Sequence, residues 1–208
     1  MLGKVTADEA ADWREQRRVV ARRTIIEQAW LLADERGLDS WTMRELAEAV
    51  GVRAPSLYGH FDGKPAILDA LFADGYRAMD QLLEDTDTEF PADLSQRDRL
   101  VAMLTAWLGF CQESPARYRL MFTSAIPGWR PSDDAYAVSQ ASYATMARHL
   151  QANGITPGVR LDLFTAVTSG IAAQQLANDP GGDRWVRLIG HTVDMFLSHL
   201  SALPEERS

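Results

Sequence analysis

Two helices too short to stand alone, set end to end around a glycine, constrain this chain more than any other feature. The segment Ser40-Trp41-Thr42-Met43-Arg44-Glu45-Leu46-Ala47-Glu48-Ala49-Val50 opens with Thr42 and carries Glu45 three residues later, the pattern of a capping box. Leu46, Ala47 and Val50 supply its apolar face, and Gly51 ends it after two turns. Pro55 suits the first turn of a second helix, where its missing N–H is no loss, and Asp62-Gly63 closes that helix near Phe61. Isolated helices under ~12–15 residues are marginal in water, so this pair must be held by a larger unit. The geometry suits a helix-turn-helix, whose first helix braces a second that enters the DNA major groove. An ordinary helical corner inside a bundle has the same pattern.

The rest of the chain reads as helix after helix, with no alternating strand pattern and no internal repeat. A first helix is expected over Arg14–Arg36, with Ile25, Ala29 and Leu32 on its buried face and Gly37 as its cap. Later helices are expected near 64–85, 97–113, 116–124, 134–153, 160–178 and 184–202, separated by Pro- and Gly-bearing breaks. The fold class expected is all-α with about nine helices. Residues 1–13 are expected as a flexible arm, 14–68 as a helix-turn-helix domain, and 69–203 as a second, helical domain.

The net charge of −8 looks wrong for a nucleic-acid binder until it is divided. Residues 1–64 carry ten Lys/Arg against eleven Asp/Glu, and residues 65–208 carry eleven against eighteen. The acid lies in the second part. Within the first, Arg14, Arg17, Arg18, Arg22 and Arg23 cluster against only Glu15 and Glu27, as a phosphate-contacting arm requires. A solvated helix face would look the same. Hydrophobic residues make up 46% of the chain, enough for a real core, yet no run reaches the ~18–20 apolar residues of a membrane helix. The first 15 residues lack a secretory apolar run, and the single cysteine, Cys111, suits a reducing cytoplasm.

Residues 42–68 resemble the TetR family of bacterial transcriptional regulators. Leu46, Ala47, Gly51 and Val52, then Leu57, Tyr58, His60 and Phe61, then Lys64 before an apolar pair, all fit that family's pattern. The run Ala54-Pro55-Ser56-Leu57-Tyr58-Gly59-His60 is similar to the tetracycline-repressor branch. The resemblance implies DNA contacts from Thr42, Arg44, Arg53, Ala54, Pro55, Ser56, Tyr58, His60 and Lys64. The arginine fork of Arg44 can bond a guanine edge. Thr42 and Lys64 sit at helix N-termini, which favour phosphate. Two departures stand out: Gly59 replaces a larger side chain, and Arg53 stands where a polar cap is common.

The resemblance also implies a helical effector-binding and dimerisation domain. Met103, Trp107, Phe110, Cys111, Tyr118, Met121, Phe122, Trp129, Tyr143, Met146 and Phe164 are the candidates to line an apolar pocket. At helical spacing they also read as plain core. Ser169, Gly170 and Ala173 keep one face of the penultimate helix small, and Trp185, Ile189, Val193 and Phe196 give the last helix an apolar side. Paired with a second copy, these faces could build a four-helix bundle.

No enzyme chemistry is legible. The histidines His60, His149, His191 and His199 show no metal-ligand spacing, and there is no phosphate-cradling loop or nucleophile elbow. No catalytic residue, metal or cofactor is expected. The expected function is a homodimeric regulator, a repressor released from an inverted-repeat operator by a small apolar effector. A small-molecule-binding protein or enzyme with a vestigial helix-turn-helix, and a TetR-like activator, stay open as alternatives.

Overall fold

The computed structural model describes residues 7–88, 90–91 and 93–200. Nine α-helices and no strand occur among the described residues: α1 (Ala7–Arg36), α2 (Met43–Val50), α3 (Ala54–Tyr58), α4 (Lys64–Thr88), α5 (Gln96–Glu113), α6 (Pro115–Phe122), α7 (Asp133–Ala152), α8 (Val159–Asn178) and α9 (Ile189–Leu200). A single 3-10 turn, Val186–Leu188, leads into α9.

The first helix begins at Ala7 rather than Arg14. Of the expected arm, residues 1–6 lie outside the described residues and 7–13 form the first turns of α1. Ala7-Asp8-Glu9-Ala10-Ala11-Asp12 explains this, since alanines favour helix and acids near the N-terminus complement the helix dipole. The last helix is shorter than expected at its start. Arg184 and Trp185 belong to the connection, and the end expected at Ala202 lies outside the described residues. The recognition helix stops at Tyr58, so Gly59 caps it instead of sitting inside it. Glycine costs little at such a terminus.

Two cores run along the molecule. The first gathers Ile25, Leu32, Trp41, Leu46, Leu57, Phe61, Ile67 and Leu71 from α1 to α4, with Ala116 and Leu120 of α6. The second gathers Leu83, Leu100, Leu108, Phe110, Phe164, Val193 and Phe196 from α4, α5, α8 and α9. The 25-residue α4 belongs to both, and Tyr76 packs against each. A boundary at residue 68 therefore falls within a continuous helix.

The helix α6 joins the two parts. Its first turn is held by Asp34 of α1, whose carboxylate accepts from the Ser114 hydroxyl at 2.7 Å and the Ala116 N–H at 3.0 Å. Its last residue but one, Met121, gives its carbonyl to the Tyr76 hydroxyl at 3.0 Å.

Candidate nucleic-acid interface and effector cavity

The helix-turn-helix is built by local rules. The Thr42 hydroxyl accepts from the Glu45 N–H at 3.3 Å, and the Glu45 carboxylate accepts from the Thr42 N–H at 2.8 Å, closing the capping box. Those Thr42 bonds, with Arg36 behind them, hold the Glu45 carboxyl below its ordinary value. Gly51 adopts φ 78°, and its N–H reaches back to the Ala47 and Glu48 carbonyls. A side chain would strain that left-handed turn. Arg53 precedes α3 in extended backbone without a side-chain cap bond, and Pro55 occupies the first turn. Leu57 is fully buried and pins α3 to α1 and α2, turning its neighbours outward.

The expected DNA-facing residues divide into free and engaged groups. Arg44 is 86% exposed and pairs only with Glu48, at 3.1 Å on the same helix surface. Such an exposed pair is worth little and can be exchanged for a guanine edge. Arg53, Pro55, Ser56 and Tyr58 are exposed, with Tyr58 at 55%, and Ala54 is half-buried beside them. Together they form one outward surface on α2 and α3. Thr42 is exposed, but its hydroxyl is committed to Glu45. His60 is half-buried, its Nδ1 lying without a partner among the described residues.

Lys64 is more engaged than its sequence position suggests. Its ammonium donates to the Asp39 carbonyl at 2.9 Å and the Trp41 carbonyl at 2.8 Å, and lies 4.2 Å from the Trp41 ring centroid. Burial pushes its pKa down, against the pull of Asp39 and Glu45. Two of its three protons are spent inside the protein, which leaves one for a phosphate.

The arginine cluster also divides. Arg22 donates to the His60 carbonyl and stacks 4.0 Å from the Phe61 ring, so it locks α1 to the end of α3. Arg23 pairs with Glu27 at 3.0 Å. Arg17 and Arg18 are exposed on a part of α1 that extends past α3. The Arg14 side chain lies outside the described residues.

Beyond α4, a cavity of about 620 Å³ opens among α4, α5, α7 and α8, with Phe122 at its edge. Six of the eleven residues expected for an effector pocket line it: Met103, Trp107, Phe122, Tyr143, Met146 and Phe164. The other five do not. Phe110 and Cys111 lie further along α5, buried in the second core, where Arg117 stacks 3.7 Å from the Phe110 ring. Burial pushes the Cys111 thiol up to about 12. Tyr118 and Met121 face inward from α6, Met121 against Gly75. Trp129 packs on Phe72, ring centroids 5.9 Å apart, in the first core. The correction is one of position along the helix. Met103 and Trp107 are one turn apart on the cavity face, and Phe110 and Cys111 continue the same side of α5 toward its C-terminal end, beyond the cavity and into the core.

The cavity also takes residues that sequence reasoning missed. Tyr76, Met79, Leu82 and Leu83 of α4 contribute a whole wall, Ser139 of α7 and Thr165 and Thr168 of α8 line the interior, and Tyr136 and Gln140 of α7 and Ser169 of α8 contribute the rim. The helical spacing of Tyr136, Ser139, Gln140, Tyr143 and Met146 along α7 was the available signal.

The expected dimer surface needs a similar correction. Ile189, Val193 and Phe196 are buried within this chain, with Phe196 5.2 Å from Phe164 between ring centroids. Their stripe, continued by Leu200, packs inside the second core instead of facing out. Trp185 is half-buried, its backbone N–H donating to the Gln175 side-chain Oε1 at 2.9 Å, and Gln175 itself is wholly buried as the clamp of the α8–α9 connection. Ser169 lines the cavity. Gly170 and Ala173 do stand exposed on α8, with Leu163, and on the last segment Leu188 and Met195 stand exposed at 40% and 60%.

No helix of the described residues is long and apolar enough to cross a membrane, and no cluster of metal-ligating side chains occurs among them.

Comparison with known proteins agrees with the geometry. Residues 25–71, from the buried face of α1 into α4, match the model of the bacterial regulatory proteins of the tetR family. The tetracycline repressor class A from transposon 1721 of Escherichia coli is 52% identical over 48 residues, covering 23% of this chain and 22% of that one. The class D repressor of Escherichia coli is 38% identical over 71 residues, 30% of its length, so the chain spans under a third of these first relatives. The class G repressor of Vibrio anguillarum is 28% identical over 165 residues, covering 75% of this chain and 69% of that one. A Rhodococcus protein of unknown function superimposes with a TM-score of 0.70 at 25% identity, over 86% of this chain and 94% of that one. A TetR-family regulator structure from Mesorhizobium loti superimposes with a TM-score of 0.65 over 88% and 98%, and at 18% identity it speaks for the fold alone. A capped α2, a glycine turn, an exposed α3 and this match identify residues 25–71 as a helix-turn-helix head similar to that of the bacterial regulatory proteins of the tetR family.

Proposed function

We propose that this protein is a homodimeric, ligand-responsive transcriptional regulator, a repressor released from an inverted-repeat operator by a small apolar effector. The observation that carries the reading is the joining of an outward-facing helix-turn-helix to an apolar cavity through a single continuous helix, α4. Arg44, Arg53, Ser56 and Tyr58 read the groove, while Arg17 and Arg18 meet phosphates. One five-residue recognition helix touches few base pairs, so two heads on successive major grooves, about 34–36 Å apart, are required. The exposed faces of α8 and α9 around Gly170, Ala173, Leu188 and Met195 are the surface for the second copy.

An effector acts by binding one state of the head-to-domain arrangement better than the other. Tyr76 and Phe122 stand at the cavity wall and edge, their rings 6.1 Å apart, and sit on the two helices that reach the head. A ligand that displaces them tilts α4 and α6 against α1, where Asp34 holds the first turn of α6. The relatives' names favour repression over activation. The exposure of the α2–α3 surface favours a working head over a vestigial one.

The test is fluorescence anisotropy of the purified protein on DNA flanking its own gene, with and without a small-molecule library. Specific binding that a compound abolishes supports the reading. Equal affinity for flanking and random DNA at every salt concentration would overturn it.

A further inference from the structure

The cavity is apolar, but its polar groups are arranged in a way that narrows what can enter. Among the described residues no Asp, Glu, Lys, Arg or His lines it. The inner hydroxyls are already spent on the protein's own carbonyls. Tyr76 donates to Met121 at 3.0 Å, Ser139 to Tyr136 at 2.7 Å, Thr165 to Leu161 at 3.0 Å and Thr168 to Phe164 at 2.9 Å. Each has used its one proton, so none can donate to a ligand. What remains is neutral: the Trp107 indole inside, and Tyr136, Gln140, Tyr143 and Ser169, which are exposed on α7 and α8 at the open side.

The apolar walls favour flat rings. Phe122 meets Tyr76 and Trp107 edge-to-face at 6.1 and 6.4 Å between centroids, and the thioethers of Met79, Met103 and Met146 can adapt around a planar body. A volume of about 620 Å³ fits a drug-sized molecule. An ionised group inside would lose its hydration with no counter-charge in reach, which is costly for either sign. The net −7 of residues 65–208 adds a further penalty for anions.

We infer that the cavity selects an uncharged, largely aromatic molecule, whose rings lie against Tyr76, Trp107, Phe122 and Phe164 and whose one polar end, a hydroxyl or carbonyl, stays at the mouth beside Gln140, Tyr143 and Ser169. This rests on reading the cavity as the effector site and specifies the chemistry of that effector.

The experiment compares two fluorescent probes with the same ring skeleton, neutral N-phenyl-1-naphthylamine and its sulfonated anion 8-anilino-1-naphthalenesulfonate, on the full chain. The neutral probe should bind at least about tenfold more tightly, a modest estimate for an unpaired charge moved out of water. Thr168→Trp, which fills the cavity, should abolish binding with its helical circular dichroism intact, and Met146→Trp serves if the first variant loses that signal. Comparable affinity for the sulfonate, no binding of the neutral probe, or undiminished binding to a folded cavity-filled variant would overturn the assignment. Operator release is measured separately by anisotropy. A neutral probe that binds the cavity while the DNA complex persists leaves the ligand class standing and removes the effector role.

Discussion

Replacing Lys64 with methionine separates two roles for one side chain. Methionine keeps most of the apolar stem and deletes the ammonium. The structure assigns that ammonium two hydrogen bonds to loop carbonyls, of Asp39 and Trp41, and a position 4.2 Å from the Trp41 ring. Hydrogen bonds from charged donors contribute about 1.5–3 kcal/mol each when well buried. A cation over an aromatic face adds about 0.5–2 kcal/mol. Lys64 is only half-buried, so water partly replaces the lost partners, and the sum of the low ends, about 3.5 kcal/mol, must be discounted for that exposure. The expected loss is about 2–3 kcal/mol, a large share of the ~5–15 kcal/mol that holds a domain together. At ~2–4 °C per kcal/mol for a chain of this size, the melting temperature should fall by about 4–12 °C at fixed protein concentration. Well below that temperature, the slope of log affinity against log salt should stay that of the parent protein. A lysine whose main work is a phosphate contact would instead leave stability alone and shrink the slope by about 1. An unchanged melting temperature together with a reduced slope would refute the internal role assigned here.

Arg44→Ala and Tyr58→Ala should each weaken operator binding by about 1–3 kcal/mol in anisotropy titrations, with denaturation midpoints unmoved because both side chains are exposed; loss of stability in either would contradict the surface geometry. Ile189→Asp should unfold the protomer, since it places a carboxylate in the second core, whereas Met195→Asp should leave circular dichroism intact and shift sedimentation from dimer to monomer. A folded, dimeric Ile189→Asp protein would return that residue to the surface. Glu45, held below its ordinary 4.5 by Thr42 and then Arg36, stabilises the head above pH 4.5 and loses that contribution as pH falls through its lower folded-state value. The acid limb of a stability profile should therefore flatten in Glu45→Gln, and identical limbs would exclude the effect. Cys111, buried and pushed up to about 12, should resist iodoacetamide at pH 8 in the native protein and react once unfolded; rapid native alkylation would show that the core opens there.

The head was legible because its signals are local. A capping threonine and its glutamate are three residues apart, the left-handed glycine follows the helix it ends, and Pro55 marks the next start. Each of these is decided by neighbours along the chain, so α2 was placed to the residue and α3 to within a turn. Helix order and number in the second domain were readable from apolar periodicity and the Pro- and Gly-bearing breaks between segments, and the structure adds Ser95, Ser114 and Ser132 as caps of α5, α6 and α7.

What only the tertiary structure decided is which apolar face meets which neighbour. On α5, Met103, Trp107, Phe110 and Cys111 make one continuous apolar side, and nothing along the chain says that the first two border a cavity while the last two fill a core. On α9, the stripe Ile189, Val193 and Phe196 has the spacing of an interface, but it is consumed by the chain's own α5 and α8, leaving Leu188 and Met195 outside. The Lys64 ammonium has the sequence context of a phosphate ligand, yet the fold of residues 37–42 brings two carbonyls within its reach. Caps and turns are settled by interactions spanning a few residues. Partner choice between helices depends on packing among segments distant in sequence, where one apolar face satisfies burial against any complementary surface the fold supplies.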